Sequence, residues 1–222
     1  MQAVILAAGR GKRMGEITNE TPKPLLTVHG KSLLEHKIEM LPDTIDEVII
    51  VVGYLREKIM NALGDSCAGK KITYVVMEEL SGTAPALWLC RDHLKGPCLV
   101  LMGDDLYGKE DMAQAVQHNW YIGLQTSDAA FAGGRIDVEG NKLRQVTEEG
   151  GVVGDFVNTG MYVVGPELFE YEMVQIPSGE YGLPQTLAVL AQDIPVEART
   201  VQTWIRVTSP EDIQKAEAEL VQ

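Results

Sequence analysis

Met1-Gln2-Ala3-Val4-Ile5-Leu6-Ala7-Ala8-Gly9-Arg10-Gly11-Lys12-Arg13-Met14 opens the chain, and Thr21-Pro22-Lys23-Pro24-Leu25-Leu26 completes the same unit. Residues 3–8 form an unbroken apolar run, the pattern of a central strand buried on both faces. Directly behind it stand Gly9 and Gly11, with Arg10, Lys12, Arg13 and Lys23 close by; only Glu16 and Glu20 oppose them locally. Glycines after a buried strand leave backbone N–H groups open to a ligand, and cations beside them favour an anion. The net charge of the whole chain is −13, so this local excess of cations reads as a phosphate site. The plainer alternative is a loop with solvated charges.

Two familiar phosphate motifs fail on these residues. A dinucleotide fingerprint needs glycine at position 14, where Met14 stands, and a helix at once, whereas Pro22 and Pro24 follow. The Walker pattern does not occur anywhere in the chain. The loop is long, basic and of another kind.

Outward from it, the periodicity predicts a strand over 25–28, a helix through Leu33, Leu34, His36, Ile38 and Met40, and a buried strand over 48–52. A helix bearing Ile59, Met60 and Leu63 follows, then a strand over 72–77, a helix over 84–94 and a strand over 97–102. Strands alternating with helices in this way imply a parallel sheet covered on both faces. The second half changes character: a helix over 112–119, a strand over 120–125, a hairpin of 129–138 with 142–147, and a long strand over 156–164. A short helix at Pro166, a helix over 184–192, strands over 195–201 and 203–207, and a helix capped by Ser209 with Pro210 in its first turn complete the reading. With no linker or repeat in view, 1–222 reads as one α/β domain with a mixed, mainly parallel central sheet.

Composition excludes several classes. The acidic balance leaves no basic stripe outside the opening loop, against a nucleic-acid partner. No apolar run approaches the ~18 residues of a membrane span, and no leader pattern precedes the first strand. Cys67, Cys90 and Cys98 are odd in number and lack metal spacing, which suits reduced thiols and a cytoplasmic protein. The four histidines stand at no ligand or triad spacing.

Ligands of open parallel sheets bind at the carboxyl ends of the strands. Besides the basic loop, Gly103-Asp104-Asp105 falls there. Such a pair is either a turn or helix cap, or a hard-oxygen site for Mg²⁺, with Asp104 the first ligand and Asp105 the second. A cationic loop facing an acidic strand end is what phosphoryl transfer requires. Gly82-Thr83-Ala84 opens a helix, as a cap or as an anion or base contact. Asn158-Thr159-Gly160 lies inside an apolar strand, as a bulge with a satisfied amide or as a ligand-facing amide.

Ala3-Val4-Ile5-Leu6-Ala7-Ala8-Gly9-x-Gly11-x-Arg13-Met14 with Thr21-Pro22-Lys23-Pro24-Leu25 resembles the signature of the sugar-1-phosphate nucleotidyltransferases, and the likeness extends over nearly the whole chain. The resemblance implies a Rossmann-like (GT-A-like) three-layer αβα sandwich, with a nucleotide-binding half over 1–105 and a sugar-binding half over 106–222. It implies Mg²⁺-dependent transfer of a nucleoside monophosphate from a nucleoside triphosphate to a sugar-1-phosphate. By it, Leu6, Ala7, Ala8, Gly9, Gly11, Lys12, Gly82 and Thr83 meet the nucleotide, and Arg13, Lys23 and Asp104 are catalytic. Gly103, Glu148, Asn158 and Glu180 meet the sugar, and Asp104 and Asp105 hold the metal. Within the family the length is similar to compact hexose-1-phosphate or N-acetylmuramate-1-phosphate types, without the β-helix extension of bifunctional relatives.

Three positions depart from the family pattern. Met77 stands where many members have a base-reading glutamine, and Glu149 where many have a lysine that meets the sugar phosphate. Arg206, in Trp204-Ile205-Arg206, stands where the second metal-ligating aspartate is usual. These departures motivate an alternative: a nucleotide or sugar-phosphate binding protein with weak or no catalysis.

Overall fold

A computed structural model describes residues 1–11, 14–15, 17–131 and 133–219. Its centre is a ten-stranded sheet in the order Arg135–Glu139, Lys142–Thr147, Glu197–Thr200, Tyr121–Thr126, Phe156–Val164, Cys98–Met102, Gln2–Ala7, Glu47–Val52, Lys70–Val76 and Ser66–Cys67. The opening strand is central and runs parallel to both neighbours, with Val4 beside Ile49 on one side and Val100 on the other. The predicted α/β class with a mixed sheet is what the structure has. Strands from both halves of the chain pair in this one sheet, where Cys98–Met102 meets Phe156–Val164 antiparallel.

Burial on both faces explains the unbroken apolar run. Val4 and Ala8 belong to one core with Ile49, Val51, Val100 and helices Thr83–Trp88 and Leu183–Leu190. Ala3, Ile5 and Ala7 belong to the opposite core, with Ile50, Leu99, Leu101 and helices Leu33–Met40, Arg56–Leu63 and Lys109–Ala115. A third, smaller cluster ties Met14, Leu26, Val28 and Leu33 to Ile205, Val207 and Ala216 of the C-terminal segment.

The elements differ from the sequence expectations where backbone chemistry overrides pattern. The segment expected as a strand over 25–28 begins as a 3₁₀ turn at Lys23–Leu25 and pairs as a strand only at Thr27–Val28. The helix expected over 84–94 ends at Trp88. Cys90 N–H then turns to Leu87 O and the chain tightens into a 3₁₀ turn at Arg91–His93. The first hairpin strand starts at Arg135; Gly133, just before it, has φ +105, outside the extended region.

Topology places the site. From the opening strand the chain steps outward through Glu47–Val52 to Lys70–Val76, then crosses back to lay Cys98–Met102 on the other side. The order therefore reverses between Gln2–Ala7 and Cys98–Met102, and the loops leaving their carboxyl ends flank a crevice.

Candidate active site

The crevice is shaped by backbone approach. Gly103 N–H donates to Leu6 O at 2.9 Å, and a Cβ on Gly103 would come within 2.8 Å of Ala7 Cα. Only glycine lets the acidic turn lie this close to the first strand. On the other flank Tyr54 N–H donates to Ala8 O at 3.1 Å. The basic loop is folded back by Met14 N–H on Gly11 O and by the Thr18 hydroxyl, which donates to Gly11 O and Gly15 O. The resulting cavity, about 660 Å³, is lined by Leu6, Ala7, Ala8, Gly9 and Gly11, with Gly82, Thr83 and Asp104 opposite. Met77 lies in its wall, buried.

Lys23 and Asp104 meet at the floor. The Lys23 side chain is 5% exposed and its Nζ donates to Asp104 Oδ2 at 2.6 Å, while the Asp104 side chain is 36% exposed. The structure thus unites two residues eighty-one positions apart, both singled out from sequence. Lys12 and Arg13 lie outside the described residues.

A second cation stands behind this pair. Lys37, on helix Leu33–Met40, is buried and donates through Nζ to Met102 O. Burial pushes its ammonium down to about 8, against the attraction of Asp104 and Asp105. Burial, reinforced by the Asp104 charge, pushes the Asp105 carboxyl up to about 7, although Trp204 and Lys37 pull the other way. Asp105 Oδ2 accepts from Trp204 Nε1 at 3.0 Å, and its backbone faces Arg206 across a two-stranded ribbon.

A second cavity, about 300 Å³, adjoins the first and shares Thr83, Met102 and Glu180 with it. Asp105, Glu148, Asn158, Gln185 and Arg206 are among its lining residues. Asn158 sits at a bulge, donating to the Tyr162 hydroxyl at 2.6 Å and accepting from Gly160 N–H at 3.0 Å. Gly160 has φ +76, and a Cβ there would run into Met102. Gly82 and Thr83 are sewn to the far wall. Tyr181 N–H donates to Ser81 O, a Cβ on Gly82 would strike Tyr181 O, and Leu183 N–H donates to Thr83 Oγ1. Glu149 is exposed, and Arg206 is exposed with no ion pair among the described residues.

Two lining or supporting residues escape the motif reading, Lys37 and Gln185; Trp204 stands in the closing motif, but its bond to Asp105 emerges only from the fold. Lys37 carried a signal, because it falls four after Leu33 and three after Leu34, on the inward face of an amphipathic helix. Gln185 carried one too, as a polar residue on a helix whose buried positions include Leu183, Leu187 and Leu190.

Among the described residues no three His, Cys, Asp or Glu side chains converge as a metal cluster. A lone accessible carboxylate beside a buried ammonium suits Mg²⁺, which keeps its waters and takes substrate phosphates instead of a protein cage. The donor set at Asp104 therefore fits that ion.

Comparison with known proteins agrees with this geometry. The Nucleotidyl transferase family model matches residues 2–216, and the chain belongs to that family. It is 29% identical to the UTP–glucose-1-phosphate uridylyltransferase AglF of Haloferax volcanii, over 99% of this chain and 96% of that one. It is 31% identical to the bifunctional protein GlmU of Methanococcus vannielii over 86% of this chain, spanning about half (48%) of that relative's length. In fold it matches a crystal structure of a Bacillus anthracis protein assigned as a glucose-1-phosphate thymidylyltransferase. The TM-score is 0.86 at 22% identity, over 98% of this chain and 94% of that one. No described helix is long and apolar enough to cross a membrane.

Proposed function

We propose that the protein transfers a nucleoside monophosphate from a nucleoside triphosphate to a sugar-1-phosphate. One observation carries this reading: two cavities of different chemistry meet at Thr83, Met102 and Glu180, beside the Lys23–Asp104 pair. The first, walled by backbone and small residues, suits a flat base and a phosphate chain; the second, rich in acceptors, suits a hydroxylated partner.

In this reading a phosphate oxygen of the sugar-1-phosphate attacks the α-phosphorus in line. The bond from the α-phosphorus to the bridging oxygen breaks and pyrophosphate leaves, its charge offset by Lys12 and Arg13 as the family resemblance implies. The attacking oxygen is already anionic, so no general base is needed and positioning with charge neutralisation supplies the catalysis. Lys23, held by Asp104, presents its ammonium to the phosphates. Asp104 would hold Mg²⁺, which when bound neutralises phosphate charge. Asp105, hydrogen-bonded to Trp204, supports the acidic turn from beneath, with Lys37 facing it from the core. Gly103, Asn158, Glu148 and Glu180 would meet the sugar.

A second reading rests on Arg206, a cation at the second cavity where the family usually places a metal-ligating aspartate: binding of the same ligands with little turnover. Pyrophosphate release, measured over four nucleoside triphosphates and several sugar-1-phosphates with and without Mg²⁺, separates the two. The transferase reading expects a Mg²⁺-dependent signal for a preferred pair. Silence across the matrix, with nucleotide still binding by calorimetry, would overturn it in favour of the binding role.

A further inference from the structure

Gln185 is at odds with its surroundings. It is 9% exposed on a helix that turns leucine, alanine and threonine inward, and its Oε1 is buried without a hydrogen-bond partner among the described residues. That oxygen lies against the α-carbon of Gly182, where any Cβ would collide with it. The other end of the amide is engaged: Nε2 donates to Glu148 Oε1. Reversing the amide would set its oxygen against a carboxylate and bury the NH₂ without that acceptor, so Glu148 fixes the orientation. A methionine would fill the same space with no orphaned oxygen, and an unmade buried hydrogen bond is costly. What the glutamine supplies in return is one donor, delivered to Glu148.

Glu148 is half-buried and lines the second cavity, and among the described residues Gln185 makes the one side-chain hydrogen bond it accepts. Arg206, the cation in the same cavity, forms no ion pair with it among the described residues. The carboxylate is therefore oriented from behind by a neutral amide, which occupies Oε1 and leaves Oε2 as an acceptor.

We propose that Gln185 is a positioning residue for acceptor recognition. It aims the Glu148 carboxylate at a hydroxyl of the sugar phosphate, and Gly182 is the clearance that lets it do so. The proposal rests on the transferase reading for the identity of that acceptor. It makes Gln185 a determinant of sugar-phosphate affinity without a part in nucleotide binding or in the chemical step.

The test compares Gln185→Met and the near-isosteric Gln185→Glu with the native protein. Calorimetric Kd for nucleoside triphosphate and for sugar-1-phosphate would be measured separately, together with KM, kcat and melting temperature. The expected result for both variants is a rise of at least tenfold in sugar-phosphate Kd and KM, with nucleotide Kd changed less than twofold. Gln185→Met should melt no lower than the native protein, because the orphaned oxygen is gone. In a Glu148→Gln background, Gln185→Met should add less than twofold, since both changes remove one interaction. Equal losses of nucleotide and sugar-phosphate affinity, unchanged sugar-phosphate affinity, or additive effects of the two substitutions would overturn the proposal. If the native protein binds sugar phosphate but releases no pyrophosphate, the transferase reading falls while the Kd comparison still decides the role of Gln185. If it binds no sugar phosphate, both fall.

Discussion

The two cavities are built in opposite ways. The first is made of backbone: a strand end, glycines that admit close approach, and one ion pair between Lys23 and Asp104. The second is made of side chains carried by separate elements, with Glu148, Asn158, Gln185 and Arg206 converging from four places in the second half. A backbone site tolerates little change where its glycines are also packing positions, as Gly82 and Gly103 are. A side-chain site can be retuned one residue at a time. The contrast predicts that substitutions in the first cavity act on catalysis and folding, and those in the second on acceptor choice.

The largest effect should come from Asp104→Ala. Removing the carboxylate takes away the partner of a nearly buried ammonium at the reacting centre, and loss of such electrostatic positioning costs about 10²–10³ in rate. We expect kcat of pyrophosphate release to fall by that amount. The matched change in the second cavity, Glu148→Gln, should raise KM for sugar phosphate about tenfold, as expected for a weakened hydrogen bond to a charged group, and leave kcat within a few-fold. A large kcat loss from Glu148→Gln would break the comparison.

Next in size is a pair of glycines in the first cavity. Gly103→Ala places a Cβ 2.8 Å from Ala7 Cα and should destabilise by about 1–3 kcal/mol in denaturant titration. Gly9→Ala meets nothing within 4 Å. It should leave stability within about 0.5 kcal/mol while weakening nucleotide binding by calorimetry, because its methyl group enters the cavity. Stability loss at Gly9 or none at Gly103 would contradict the packing account.

The seam between the regions should respond to pH. Asp105 is raised from 3.8 to about 7, chiefly by burial. A raised carboxyl contributes stability that is fully present below 3.8 and lost as pH rises through about 7. Asp105→Asn keeps an acceptor for Trp204 and has no charge to bury. Its melting temperature should therefore gain on the native protein between pH 5 and pH 8. A constant difference would show that Asp105 ionises without cost.

The smallest effect lies outside both cavities. Asp212 accepts from Thr208 N–H and Ser209 N–H at the start of helix Pro210–Glu219. Burial opposes its ionisation, but these hydrogen bonds prevail and hold it at about 2. Asp212→Ala should cost about 1 kcal/mol, the usual net worth of such a hydrogen bond. The lowered carboxyl contributes above 3.8 and loses its contribution as pH falls through about 2, so the two proteins should converge there. Thermal melts at pH 7 and at or below about pH 2 check both parts.

The same contrast explains what could be read from sequence. The first region is legible because its signals are contiguous: an apolar run, two glycines and a cluster of cations need no partner to be recognised. Gly103-Asp104 was legible because a buried strand ends there. In the second region Glu148 and Glu180 were legible only through family resemblance, whereas Asn158 also stood out as a polar residue inside an apolar strand. Gln185 matters through its distance to Glu148, thirty-seven positions away, and no local period records that distance. Lys37 is intermediate: helical spacing places it inward, but only the fold puts Met102 O and the acidic turn beside it. The break at Gly133 and the early end of helix Thr83–Trp88 were misjudged because an apolar pattern continued past a change in backbone hydrogen bonding.

The most direct test of the central claim follows the α-phosphorus. The protein would be incubated with nucleoside triphosphate labelled at the α- or the γ-phosphate, together with sugar-1-phosphate and Mg²⁺. The account predicts that α-label moves into a sugar nucleotide while γ-label leaves as pyrophosphate, both abolished in Asp104→Ala. Release of γ-label as inorganic phosphate, or α-label that never leaves the triphosphate while both ligands bind, would contradict it.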